Sequence, residues 1–310
     1  MAEFFASSRV LIVAGKGGVG KSTLGATIGV SAARNGLDTL LVELEGHSSL
    51  GRPFGHGQLT AEGVDLPLPG SKGQLRAMRV TPDDALVEYL GEHGLDRVGS
   101  RLITSGAIDV VSTAAPGIRD LLALGKIRQL ETAGVADLIV VDAPAAGHAM
   151  TFLRSPAGLR DSSVAGPVRE QADAVLEMFS SEQRCQVVLV TLPEETPVSE
   201  LIETAFDIED TVGVKLGPLV MNGVWPDVDG LAAELDGAAT PRSAIATARV
   251  DAARYRLGRT KAQLEQRERL ADELSLPVVT LPYLFRPELD LAAIDDLSEQ
   301  LCAELTRLAL

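Results

Sequence analysis

The sequence predicts an α/β protein built on a doubly wound, mainly parallel sheet of about seven to eight strands, with a small helical insert. Three observations predict it. Short β-branched runs recur along the chain, several apolar throughout rather than alternating, as expected of parallel strands covered on both faces. Helical patterns lie between these runs, so strands and helices alternate. The first run also leads directly into a glycine-rich turn, Gly15-Lys16-Gly17-Gly18-Val19-Gly20-Lys21-Ser22, and then into a helical pattern.

In chain order, Val10–Ala14 is wholly apolar and reads as the first buried strand, with Thr23–Asn35 as the helix that follows. Thr39–Glu43 is the second strand. The stretch from Gly51 to Gly73 is rich in Gly, Pro and polar residues and reads as a long mobile loop with a functional role, because it directly follows a strand. Leu75–Val80 resumes the strand pattern, and Pro82–Tyr89 and Gly117–Leu130 are helical. Strands follow at Leu138–Asp142, Val187–Leu192, Leu216–Met221 and Val278–Leu281, each bounded by polar or glycine-rich turns, with a long helix over Ala244–Glu273. The closing stretch "DLSEQLCAELTRLAL" repeats leucines at helical spacing and is expected to pack on the sheet. It carries acids, where an anionic membrane surface favours a basic face. Residues 1–310 are read as a single domain, with segments 81–130 and 150–180 forming a helical subdomain inserted between core strands.

Composition narrows the function classes. Hydrophobic residues make up 45% and charged residues 23%, a globular balance. A formal net charge of −15 repels phosphate backbones, so nucleic acid is not expected as the main partner. The basic stripe Arg249, Arg254, Arg256, Arg259, Lys261, Arg267 and Arg269 on the long helix reads as a solvated face or partner contact. Two cysteines, Cys185 and Cys302, without a C-x-x-C pair leave no disulfide framework or cysteine-rich zinc site, and both read as filler in or near the core. The start lacks a basic segment with an apolar signal core, and no apolar run reaches the roughly 18–20 residues that span a bilayer. The expectation is a cytoplasmic protein with no integral membrane segment.

The glycine-rich turn fits G-x-x-x-x-G-K-[ST] in full and sits between a strand and a helix, as a phosphate-binding loop requires. Its glycines let backbone N–H groups turn inward around phosphates, and the helix N-terminus adds favourable charge. Lys21 is expected on the β- and γ-phosphates, the Ser22 hydroxyl on Mg²⁺, and Thr23 on an α-phosphate oxygen. In "DLIVVDAPAAGH", Asp142 ends a buried strand and suits the outer-sphere Mg²⁺ partner. Gly147 gives the following loop room to swing, and His148 reads as a structural or switch-positioning histidine.

These motifs resemble a known family. The form G-K-G-G-V-G-K-S looks like the deviant Walker A loop of dimeric P-loop ATPases. "VDAPAAGHAMTFLRSP" resembles the switch II segment of the arsenical-pump ATPases and the tail-anchored-protein-targeting ATPases. "LRAMRVTPDDALVEYL", "APGIRDLLALGKI", "VTLPEETPVSE", "VMN" and "LPVVTLPYLFRPE" resemble further landmarks of that family, so the likeness covers nearly the whole chain.

The resemblance implies an ATPase that binds ATP/ADP and Mg²⁺ through Gly15 to Thr23. It also implies a dimer, homodimeric or heterodimeric with a related ATPase, in which Lys16 reaches across to the partner's phosphates as an arginine finger does. Asn222 and the loop of Pro282, Tyr283 and Leu284 would hold the adenine. Two features depart from the pattern. The family's switch I aspartate, which positions the attacking water, is here Glu45 in "VELEGHSSLG". Glu45 therefore stands with Lys16 and Lys21 as a catalytic candidate and with Ser22 and Asp142 at the Mg²⁺ site, while Glu43 either substitutes for it or reads, by preference, as a strand-end positioning carboxylate. The clustered metalloid-binding cysteines, the Met-rich groove and the C-x-x-C clasp of the family's branches are absent, which leaves an unidentified protein or small-molecule client. Three readings stay open: a client-coupled ATPase switch, a weakly active nucleotide-binding scaffold in a heterodimer, and a ligase-type enzyme phosphorylating a carboxylate.

Overall fold

The computed structural model describes residues 2–44, 50–92, 117–144, 146–237 and 243–309. Its strands are β1 (Val10–Ala14), β2 (Thr39–Leu44), β3 (Val64–Asp65), β4 (Leu75–Val80), β5 (Leu138–Asp142), β6 (Cys185–Thr191), β7 (Lys215–Leu216), β8 (Leu219–Val224) and β9 (Val278–Pro282). They form one sheet in the order β3-β4-β2-β5-β1-β6-β8-β9, with β7 beside β6. All pairings are parallel except that of β3 with β4.

The helices are α1 (Ala2–Ala6), α2 (Lys21–Arg34), α3 (Pro82–Glu92), α4 (Ile118–Ala133), α5 (Ala146–Ser162), α6 (Pro167–Phe179), α7 (Glu195–Thr211), α8 (Leu231–Asp236), α9 (Ala244–Leu274) and α10 (Leu291–Arg307). The period-two pleat explains why the sheet is covered twice. Val10, Ile12 and Ala14 of β1 point into a cluster with Leu121, Leu124, Phe152, Val175 and Phe179 of α4, α5 and α6. Leu11 and Val13 point the other way, into a cluster with Leu24 and Ile28 of α2 and Ile294 and Leu297 of α10. Each fully buried Leu or Ile contributes about 1.5–3 kcal/mol, so continuous apolar strands require helices on both faces.

Local chemistry accounts for the irregular places. Pro156 lies inside α5 and cannot donate to the carbonyl of Phe152; the Ser155 hydroxyl donates to that oxygen instead, at 2.9 Å. The run read as one strand over Leu216–Met221 divides into β7 and β8, because Pro218 has no N–H for the ladder, although Gly217 N still donates to Val187 O at 2.8 Å. Together with β3 this makes a nine-stranded sheet, where about seven to eight strands are expected from sequence.

The Gly51–Gly73 stretch is more tightly held than its composition suggests. Leu59 and Leu66 are buried, and Leu66 N donates to Leu75 O at 2.8 Å. Arg79 N donates to Thr60 O at 2.9 Å, so the stretch is tied along β4.

Candidate functional site

The turn Gly15–Gly20 leaves the carboxyl end of β1 at the middle of the sheet, where open α/β sheets place their ligands. Gly15 lies so close to β6 that a Cβ there would stand 2.3 Å from Val190 O. Gly20 has φ +97°, and its Cβ would meet Asn222 Nδ2 at 2.2 Å. Both positions therefore exclude side chains, for packing as well as conformation. Around Gly18 the space is open, which leaves a cradle above the loop. No side chain caps α2, and its N-terminus carries the partial positive charge that favours an anion.

Lys21 begins α2 and is 7% exposed, its Nζ donating to Lys16 O at 3.3 Å. Burial pushes its pKa below lysine's ordinary range, and the nearby Asp142 carboxylate acts in the opposite sense. Ser22 Oγ donates to Asp142 Oδ2 at 2.5 Å. Glu43 is Asp142's neighbour in the β2–β5 register, is buried, and accepts from Leu50 N at 3.1 Å. Its carboxylate thereby ties the end of β2 to Leu50. A hydroxyl touching a carboxylate beside a glycine-rich loop is a hard oxygen donor set of the kind Mg²⁺ takes. Among the described residues no group of three or more His, Cys, Asp or Glu could hold a metal by itself.

Lys16 is 46% exposed and its ammonium pairs with the carboxylate of Glu200 on α7. The sequence carries no spacing signal for that partner, which stands 184 residues away. Asn222, in β8, donates from Nδ2 to Val19 O at 2.9 Å and so buttresses the loop. Pro282 ends β9; Tyr283 follows with its N donating to Val224 O at 2.8 Å, and Leu284 packs at the edge of the α2–α10 core. Thr23 sits in the first turn of α2. The loop, Ser22, Asp142 and Asn222 thus converge on one edge of the sheet. Glu45 lies outside the described residues. His148 is exposed at the start of α5 and stands near Asp120 of α4, where its charge partly offsets the rise that burial gives the Asp120 pKa.

Residues 8–163 match the family described as anion-transporting ATPase. The protein named ATPase BagA from Mycobacterium tuberculosis is 33% identical over 221 residues, covering 69% of this chain and 64% of the relative. An arsenical pump-driving ATPase from Escherichia coli is 29% identical over 224 residues, covering 70% of this chain and 35% of that protein. The ATPase named get3 from Pyrenophora tritici-repentis is 23% identical over 225 residues, covering 71% of this chain and 62% of the relative. In each case the match spans less than two-thirds of the relative's length. Among the described residues no helix is long and apolar enough to cross a membrane.

Proposed function

The chain belongs to the anion-transporting ATPase family, and from that premise we propose that it binds and hydrolyses Mg²⁺–ATP as a dimeric switch. The contact that supports this reading is Ser22 Oγ on Asp142 Oδ2 beside the buried Lys21 ammonium. The α2 N-terminus and loop N–H groups hold the phosphates, and Lys21 neutralises the β- and γ-oxygens. Ser22 and Asp142 would hold Mg²⁺, which would supply further charge neutralisation there. Lys16 leaves Glu200 in the dimer and offers its ammonium to the partner's γ-phosphate, where a cation supplied in trans is worth about 10³–10⁵ in rate. The stretch 143–148 passes the nucleotide state to α4 and α5, and through them to an unidentified client.

Calorimetry tests the site. Lys21→Ala abolishes ATP binding, and unchanged affinity sinks the assignment. A second reading, a weakly active subunit in a heterodimer with a related ATPase, is favoured by Glu45 in place of the switch I aspartate. A side chain displaced by about 1 Å can cost on the order of 100-fold in rate. Single-turnover hydrolysis by the chain alone, compared with the chain co-expressed with a relative carrying aspartate, separates the two readings. Turnover restored only by the relative favours the heterodimer.

A further inference from the structure

The faces of α3, α4 and α6 enclose a cavity of about 220 Å³. Tyr89 of α3, Gly125, Lys126 and Arg128 of α4, and Glu170 and Gln171 of α6 line it. Its size falls below the roughly 300–1,000 Å³ of pockets that take drug-sized ligands, so its occupant is a small metabolite rather than a segment of chain.

The wall is shaped by a missing side chain. Gly125 stands in the middle of α4, where glycine weakens a helix relative to alanine. A Cβ there would stand 1.6 Å from Gln171 Nε2. The helix thus gives up stability so that the Gln171 amide can lie against its backbone beside the cavity.

The charges on the walls are unequally matched. The Lys126 ammonium pairs with the carboxylate of Glu88 on α3. Arg128 and Glu170 make no ion pair among the described residues, with each other or with any other group, and Arg128 Nε is buried without a hydrogen-bond partner. Burial, and after it the Glu170 carboxylate, push the Tyr89 hydroxyl above its ordinary pKa range, so Glu170 acts on the same wall. A buried donor without an acceptor costs free energy, which calls for an anionic or carbonyl oxygen beside Arg128. Glu170 facing the same space disfavours a simple anion. A ligand with both a carboxylate and an ammonium answers both groups.

We propose that this cavity binds a small free α-amino acid, its carboxylate on the Arg128 guanidinium and its ammonium on Glu170, with the Gln171 amide beside them. The planar fork of arginine matches a carboxylate in shape as well as charge. The cavity shares no residue with the glycine-rich loop, so the amino-acid site and the nucleotide site stand or fall separately.

The full chain is screened by thermal shift against the standard free amino acids, and those that raise Tm are titrated by calorimetry. At least one binds, whereas acetate and methylammonium, each carrying one of the two charges, do not bind measurably. Arg128→Gln and Glu170→Gln each raise its Kd roughly tenfold, the size of a lost hydrogen bond to a charged group. Gly125→Ala drives the Gln171 amide from its place and weakens binding as well, while the unliganded Tm is kept by alanine's better helix propensity. If Arg128→Gln fails to fold, the exposed Glu170 position decides through Glu170→Gln. Absence of binding by every amino acid overturns the proposal, as does a Kd unchanged by the substitutions. Acetate binding that Arg128→Gln weakens and Glu170→Gln does not would make this a simple anion site and overturn it equally.

Discussion

Lys16 and Lys21 stand on the same loop and meet opposite environments. Lys21 is buried under the loop that it serves, whereas Lys16 points outward and is held by Glu200. Half-exposed pairs of this kind are worth up to about 1 kcal/mol, so Glu200 restrains Lys16 without trapping it. In the dimer reading, Glu200→Gln lowers the protein concentration giving half-maximal ATPase by about two- to fivefold. A higher or unchanged concentration removes Glu200 from the mechanism. Lys16→Ala leaves ADP affinity intact and removes most turnover; loss of both would make Lys16 a local ligand. The two cysteines differ in the same way. Burial pushes the Cys185 thiol far up, while Cys302 is partly exposed. A thiol reagent is therefore expected to modify Cys302 in the native chain and Cys185 only after denaturation.

At the scale of the element, the close approach of the loop to β6 is set by a missing methyl group. The neighbour at Gly15 is a backbone oxygen and cannot rotate away, so Gly15→Ala must move the loop or the strand. The expected cost is about 1–3 kcal/mol, read as a lower urea midpoint together with loss of ATP affinity. In the first turn of α4, burial raises the Asp120 pKa, with His148 and Arg119 opposing. The folded chain therefore holds that proton more tightly than the unfolded chain. The associated stability is present below the unfolded carboxylate pKa and is lost as pH rises through the raised value. Asp120→Asn is accordingly expected to raise Tm at about pH 7 and to give no advantage at about pH 3, where both states are protonated. An equal shift at both pH values would mean that the effect is packing.

For the whole molecule, α10 closes one face of the sheet at the far end of the chain. Ile294, Leu297, Leu301 and Leu305 are buried against α2 and the strands beneath it. Arg34 reaches Asp295 Oδ1 through Nε at 2.9 Å and Nη2 at 2.6 Å, and Ser31 Oγ donates to Ser298 Oγ at 2.9 Å. Because α2 also carries Lys21 and Ser22, this packing supports the site from behind. Leu297→Ala is expected to cost about 2–5 kcal/mol in chemical denaturation. A loss below about 0.5 kcal/mol would show that α10 does not belong to the cooperative core.

The glycine-rich loop between β1 and α2, most strands and the alternating architecture are legible without coordinates, because each rests on local chemistry. Glycine at fixed offsets, a lysine–serine pair opening a helix, and apolar runs of strand length act over a few residues. Asp142 is legible for the same reason, as an acid ending an apolar run. Features that depend on strand order leave no such trace. Asn222 reaches Val19 across 203 residues, and Lys16 reaches Glu200 across 184. Trp225, Arg256 and Phe285 meet only because β8 and β9 are neighbours and α9 returns over their ends. The two-residue β3 is likewise too short for a periodic signal and exists because β4 offers an edge. Local spacing specified where the glycine-rich loop lies between strand and helix; the crossovers of the sheet decided which distant side chains surround it, since contact between remote residues follows from topology rather than from any pattern along the chain.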